Sequence, residues 1–265
     1  MNKSVSIVTI VRNAPEDLEA TLSSVANQIS LPLEHLIIDG ASFDRTVVVA
    51  NLFQKSHSEY VRFYSEPDSG ISDALNKGVK LSKGDYIICL NAGDQFYDST
   101  SLQRIKTELQ GIDTPTILYG DALLCYPHYS TKKPWVNHKH FNSLFSFFNP
   151  LCHQSMAVPR ELMLEYPFSE YLKYSMDLKL WLTFIDNNMP FKYLPEYLCR
   201  YKMGGISSTR KNIYPLLKEH RLVYFESGRF YKIVPYALLC IRLLLENFGG
   251  APIEKLIMRR RIQRQ

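Results

Sequence analysis

Residues 66–98 read EPDSGISDALNKGVKLSKGDYIICLNAGDQFYD, and the order of signals inside them decides the fold. Pro67-Asp68-Ser69-Gly70 is a turn. The next residues predict a helix from about Ser72 to Leu81, because Ile71, Leu75 and Val79 recur at helical spacing on one face. Asp73, Asn76, Lys77 and Lys80 fall on the polar side. Ser82-Lys83-Gly84-Asp85 breaks the helix. Tyr86–Leu90 is a short apolar run, as expected of a strand covered on both faces. Asn91-Ala92-Gly93-Asp94 then closes that strand with an acid in a loop.

The same alternation extends in both directions. Val5–Val11, Leu36–Asp39 and Tyr60–Tyr64 predict strands; Pro15–Ala26 and Thr46–Phe53 predict the helices between them. Ser99 or Thr100 is placed to start a helix ending near Leu109. Strands alternating with helices imply an α/β fold, a doubly wound and mostly parallel sheet. Ligands of such sheets bind beyond the carboxyl ends of the strands. Asp39, Asp94 and Arg12 all fall at such ends. After Thr116 the pattern loosens: Ile117–Tyr119 and Ala122–Tyr126 read as strands around Gly120-Asp121, and 127–150 reads as irregular. Met176–Ile185, Tyr214–Phe225 and Ile233–Phe248 read as helices.

At 265 residues the chain can bury a core without disulfides. Its five cysteines are scattered with no Cys-x-x-Cys pair, which argues against structural zinc and fits a reducing cytoplasm. The start lacks the shape of a signal peptide. No apolar run reaches the roughly 18 residues of a membrane span. The net charge of +5 hides an asymmetry. Residues 202–265 hold 13 Lys/Arg against 4 Asp/Glu, whereas residues 1–201 hold 18 against 22.

Seven segments, in order, carry a resemblance: Ser6–Asn13, Ile37–Ser42, Asp44-Arg45-Thr46, residues 66–98, His153-Gln154, Ser175–Trp181 and Gly204–Ser207. Together they resemble family 2 glycosyltransferases of the GT-A fold, in particular those that build bacterial surface polysaccharides. The resemblance implies a GT-A catalytic domain over 1–210, with a nucleotide-sugar half (1–115) and an acceptor half (116–210). A basic helical extension follows over 211–265.

It also implies residue roles. Thr9, Arg12, Asp39 and Ser42 match positions around the nucleoside and phosphates, where an Asp can accept the ring N–H of uracil and Arg suits phosphate by its forked geometry. Asp68, Asp73, Asn76 and Lys77 surround a helix start able to approach an anion; the same residues also suit a fixed turn and a solvated helix face. Asp94 matches the ligand of a divalent cation, Mn²⁺ or Mg²⁺. Where the family carries Asp-x-Asp or Asp-Asp, this chain has Asn91-Ala92-Gly93-Asp94 and one carboxylate. Asp177 matches the catalytic base of an inverting transfer, and the alternative reading is an acid that favours a helix N-terminus. His153 and Gln154 match the acceptor side. Gly205 and Ser207 lie in a loop able to close over the diphosphate.

The expected activity is thus metal-dependent transfer of a sugar, from a UDP-sugar, to a lipid-linked (polyprenyl diphosphate) glycan in O-antigen, capsule or exopolysaccharide synthesis. No nucleic-acid partner is expected. The aromatic, Leu- and Arg-containing tail suits the inner face of a membrane carrying anionic lipid. Two other classes compete. A nucleotidyltransferase would need a Gly-rich basic loop after the first strand, which Arg12-Asn13-Ala14-Pro15 is not. A non-catalytic sugar-binding or scaffold protein draws its support from the reduced acidic motif.

Overall fold

The computed structural model describes residues 3–126, 129–132, 151–205 and 212–228. The first half runs β1 (Val5–Val11), α1 (Pro15–Ala26), β2 (Glu34–Asp39), α2 (Thr46–Ser56), β3 (Val61–Ser65), α3 (Ile71–Leu81), β4 (Tyr86–Cys89), β5 (Gln95–Phe96) and α4 (Ser101–Gln110). The second half adds β6 (Ile117–Cys125), β7 (Ser130–Lys132), a 3₁₀ turn (His153–Ser155), β8 (Met156–Pro159), α5 (Arg160–Glu165), α6 (Met176–Asp186), β9 (Phe191–Lys202) and α7 (Ile213–Glu226). Among the described residues no helix is long and apolar enough to cross a membrane.

The strands join in one sheet of order β3-β2-β1-β4-β8-β6-β9-β5, with β7 added to β6. The first four are mutually parallel, and β6 and β9 are parallel to each other. β8 bridges the two parallel sets by running antiparallel to both β4 and β6. The apolar runs follow from coverage on both faces. In β1, Val5, Ile7 and Val11 pack with Leu18 and Leu22 of α1 and Ile105 of α4 on one face. Val8 packs with Leu75 and Val79 of α3 on the other, in the core that also takes Leu178 and Trp181 of α6. A strand with both alternating sets buried shows no polar face in sequence.

α3 lies close on β1 because Gly78 lets it. A Cβ at Gly78 would sit 2.3 Å from Val8 Cγ1 and 3.3 Å from Ile38 Cγ1. The register of β1 is pinned near its end by Thr9. Its hydroxyl donates to Leu90 O at 2.8 Å and lies 2.8 Å from His35 Nε2. With that hydroxyl proton spent on Leu90, His35 must donate from Nε2. Burial pushes the His35 pKa down to about 3, so the ring is neutral.

The first half matches the predicted elements to within a few residues. The second agrees at α6 and α7 and differs elsewhere. Ile117–Cys125 is one strand, whose register against β9 shifts at Gly120–Ala122. β8, α5 and β9 escape sequence reading. In β9 the pairing steps from Leu194 to Tyr197, so Pro195 and Glu196 bulge out and break the alternation that would mark a strand. α7, within the expected helical extension, packs on the domain: Val223 and Tyr224 are buried in the core that contains α6. Residues 233–265, which carry the tail expected at the membrane, lie outside the described residues.

Replacing Gly78 by Ala should destabilise the protein by about 1–3 kcal/mol through overpacking against Val8, although Ala is the better helix former. Urea unfolding of the two proteins checks this; an unchanged or higher midpoint would mean that α3 can move off the sheet freely.

Candidate active site

The carboxyl ends of β1 and β2 open into two turns that hydrogen-bond to each other. Asn13 N donates to Ser42 Oγ at 2.8 Å, Phe43 N to Asn13 Oδ1 at 3.0 Å, and Ala14 N to Thr46 Oγ1 at 3.0 Å. Each turn carries a residue in the left-handed region, Asn13 at φ +50° and Ala41 at φ +55°. For Ala this is unfavourable backbone, of the kind that concentrates at ligand sites. Asp39 anchors the second turn. It accepts from Ser42 N at 3.0 Å, from the Ser42 hydroxyl, and from Ser65 Oγ of β3 at 2.6 Å. Asp39 is fully buried, whereas Ser42 is half-buried and Ser65 exposed.

The turn before α3 closes over this pair. Gly40 has no room for a side chain: a Cβ there would meet Asp68 Oδ2 at 2.2 Å and Arg12 Cδ at 3.3 Å. Gly40 thus brings Arg12 and Asp68 together. Asp68 also accepts from Gly70 N at 3.0 Å. Asp73 accepts from Ser69 N at 2.9 Å, and that bond is the main reason its pKa lies below the ordinary value. Lys77 donates to Pro67 O at 2.8 Å and pairs with Glu66 at 3.1 Å and Asp73 at 3.4 Å. These residues fix the turn, and Asp68 does so beside Arg12.

On the far side of β1, β4 ends in Asn91–Asp94. Gly93 stands at φ +98°, and a Cβ on it would meet Lys202 Cδ at 3.0 Å and the Asp17 carboxyl carbon at 3.4 Å. Lys202 Nζ pairs with Asp17 across it. Asp94 is buried and accepts from Gln154 Nε2 at 2.8 Å and Lys202 N at 2.9 Å. Burial outweighs these two bonds and pushes its pKa up to about 8. Asn91 Nδ2 lies 3.1 Å from His153 Nε2, while Asn91 Oδ1 is buried with no hydrogen-bond partner.

A hard divalent cation fits this donor set sparsely. Asp94 supplies one carboxylate and Asn91 Oδ1 an unused carbonyl oxygen, and such an ion takes its remaining ligands from water and phosphate. A cation would also favour the charged form that burial opposes at Asp94. No group of three or more His, Cys, Asp or Glu side chains able to hold a metal occurs among the described residues.

The segment leading to Asp177 runs beside α3. Phe168 exchanges two hydrogen bonds of 2.9 Å with the Asn76 side chain, and Leu172 O accepts from Ser72 Oγ at 3.4 Å. Four residues of helix, about 6 Å, separate Asn76 from Ser72. The segment therefore climbs toward the N-terminal end of α3, the end that carries the Asp68–Gly70 turn. Asp177 follows in the first turn of α6, half-buried, with Leu178 N donating to its Oδ1 at 2.7 Å.

The fold thus gathers Arg12, Asp39, Ser42, Asp68, Asp73, Lys77, Asp94, His153 and Gln154 along one sheet edge. Thr9 and Asn76, expected at the nucleotide, belong to the framework: both are buried with their polar atoms committed to Leu90, His35 and Phe168. His153 and Gln154, expected on the acceptor side, sit against Asn91 and Asp94. Gly205 is exposed, with open space where a side chain would stand, and Ser207 lies outside the described residues. Sequence reading missed Asn13, Ser65 and Lys202. The Arg12-Asn13 pair directly after an apolar strand was a usable signal for the first; nothing local marks Lys202, which reaches the site from the end of an unread strand.

A family model described as glycosyl transferase family 2 matches residues 6–148. A PGL/p-HBAD biosynthesis glycosyltransferase of Mycobacterium bovis is 30% identical over 213 residues, covering 77% of this chain and 79% of the relative. Among solved structures, S. aureus TarS 1–349 in complex with UDP-GlcNAc has a TM-score of 0.62 at 14% identity, covering 92% of this chain and 73% of that one. The mannosyltransferase PcManGT from Pyrobaculum calidifontis, in complex with GDP-Man and Mn²⁺, has a TM-score of 0.59 at 15% identity, covering 99% and 81%. These two share the GT-A fold with this chain.

Asp94 carries a pH dependence that can be measured without any ligand. Its ordinary pKa is 3.8 and its folded value about 8. Between these values the native state holds a proton that the unfolded chain releases, so this group's contribution is complete below about pH 4 and is lost as pH rises through 8. In metal-free protein, Asp94→Asn should flatten the fall in stability between pH 5 and 8, read by urea unfolding at several pH values. Parallel curves for both proteins would show that Asp94 does not titrate in that window.

Proposed function

This chain belongs to glycosyltransferase family 2, and from that premise we propose that it transfers a sugar with inversion from a nucleotide sugar, a UDP-sugar, to a hydroxyl of a lipid-linked glycan. The observation that carries the proposal is the common edge. The turn holding Asp39 and Ser42 and the loop holding Asp94 flank β1, separated by two strand spacings of about 10 Å, Arg12 follows β1 between them, and α3 leads Asp177 toward the same edge. That separation suits a nucleoside at one end and a diphosphate at the other.

In this reading the Ser42 and Ser65 hydroxyls, backed by Asp39, receive the base. Arg12 meets the phosphates with a forked donor pair. Asp94 and Asn91 would hold a divalent cation, which when bound supplies charge neutralisation for the departing diphosphate. Asp177 takes the acceptor hydroxyl proton as that oxygen bonds to the sugar's reacting carbon. The bond from that carbon to the diphosphate breaks on the opposite side, its electron pair leaving with the nucleoside diphosphate. The acceptor class comes from the family resemblance, beside a relative named for PGL/p-HBAD biosynthesis and the basic composition of residues 202–265. A role in O-antigen, capsule or similar synthesis at the inner face of the membrane follows as part of the same proposal.

Two variants test it. Asp177→Asn should lower transfer by about 10²–10⁴-fold while donor binding, followed by thermal shift, survives. Normal turnover would place the base elsewhere. Asp94→Ala should abolish the Mn²⁺-dependent part of donor binding; an identical donor titration with and without Mn²⁺ in both proteins would remove the cation from the scheme.

A further inference from the structure

Asp177 sits at the second position of α6, and the three residues that lead into that helix are held by a side chain from far along the chain. Glu219 of α7 accepts from three successive backbone N–H groups: Lys173 N at 2.9 Å on Oε1, and Tyr174 N at 2.7 Å and Ser175 N at 3.0 Å on Oε2. The neighbouring His220 is buried and places Nδ1 2.9 Å from Ser175 Oγ. Burial holds its pKa below the ordinary value, so it serves as a neutral partner. Further along α7, Glu226 pairs with Lys179, two residues beyond Asp177, and accepts from Tyr171 Oη at 2.6 Å. The opposite side of the same segment is bound to α3 through Asn76 and Ser72.

We infer that Glu219 is a positioning residue for Asp177: its carboxylate fixes the main chain of residues 173–175 and thereby sets where the base stands relative to the acceptor hydroxyl. This rests on the reading of Asp177 as the base. The physical reason is geometric. Three N–H groups converging on one carboxylate fix the position and the orientation of the peptide planes that they belong to, and charge-assisted bonds of this kind are about twice as strong as neutral ones. Asp177 follows Ser175 by two residues, within a helix whose first turn rides on those planes, so a tilt there is passed directly to its carboxyl group. A misplacement of about 1 Å at a reacting group can cost on the order of 100-fold in rate. Glu219 touches neither substrate nor the reacting atoms and acts only through the segment that it clamps.

The test is a double-mutant cycle with nucleoside diphosphate release as the readout. Glu219→Gln keeps the shape but turns one acceptor into a donor facing N–H groups, so at least one of the three bonds is lost. The expected result is a 10- to 100-fold lower kcat, a donor Kd within about twofold of wild type, and partial recovery in Glu219→Asp, which keeps the charge on a shorter arm. The double variant Asp177→Asn/Glu219→Gln should be no slower than Asp177→Asn alone, because positioning has no value once the base is gone. A kcat within twofold of wild type in Glu219→Gln, or losses that multiply in the double variant, would overturn the inference. If Glu219→Gln unfolds at the assay temperature, Glu219→Asp takes its place in the cycle under the same criteria. Wild-type turnover in Asp177→Asn alone would instead overturn the assignment of the base, a different failure with its own signature.

Discussion

One buried carboxylate holds together three parts of the chain that sequence keeps far apart. Asp94 follows β4, and its two oxygens accept from Gln154 in the 3₁₀ turn and from the main chain of Lys202 at the end of β9. Burial pushes its pKa up to about 8, and its hydrogen-bond partners there, an amide and a main-chain N–H, are neutral. A group in that state is poised: it is held in place by neutral donors and gains from any positive charge brought to it. The geometry of the second half of the sheet depends on this meeting point, because β8 starts from the 3₁₀ turn and β9 ends at Lys202.

The opposite wall is built on different terms. Around Asp39 and Asp68 the carboxylates serve hydroxyl and backbone donors, and the cations Arg12 and Lys77 lie at the rim. α3 connects the two walls. Its first turn supports the Asp68–Gly70 turn, its middle packs through Gly78 onto β1, and its Ser72 and Asn76 guide the segment that precedes Asp177. One helix thereby fixes the spacing between the proposed nucleotide end of the edge and the end where the proposed base enters.

How much of this was legible in the sequence follows from how local each signal is. The runs Val5–Val11 and Tyr86–Leu90 announced buried strands, and Asp39 and Asp94 stood visibly at strand ends, so the topology of the first half and the edge on which the candidate residues lie could be read directly. Thr9 and Asn76 could be placed near the site but not told apart from ligand contacts, because whether a hydroxyl or amide faces inward is decided by partners such as Leu90 and Phe168 that no local pattern identifies. β9 was lost at Pro195-Glu196, where a bulge interrupts the alternation. With it went Lys202, and the contact of Gln154 with Asp94 was invisible for a similar reason: it joins residues sixty positions apart in the chain.

Gly93 also constrains the routes by which this protein could change. A carboxylate at position 93 would have to adopt a backbone angle of +98° and would bring its Cβ within 3.0 Å of Lys202 Cδ, so an acidic pair at adjacent positions is disfavoured. Asn91 and Ala92 do not stand at positive φ. A lineage gaining a second carboxylate would meet less resistance one or two residues further back, and the spaced pair is the route this loop leaves open.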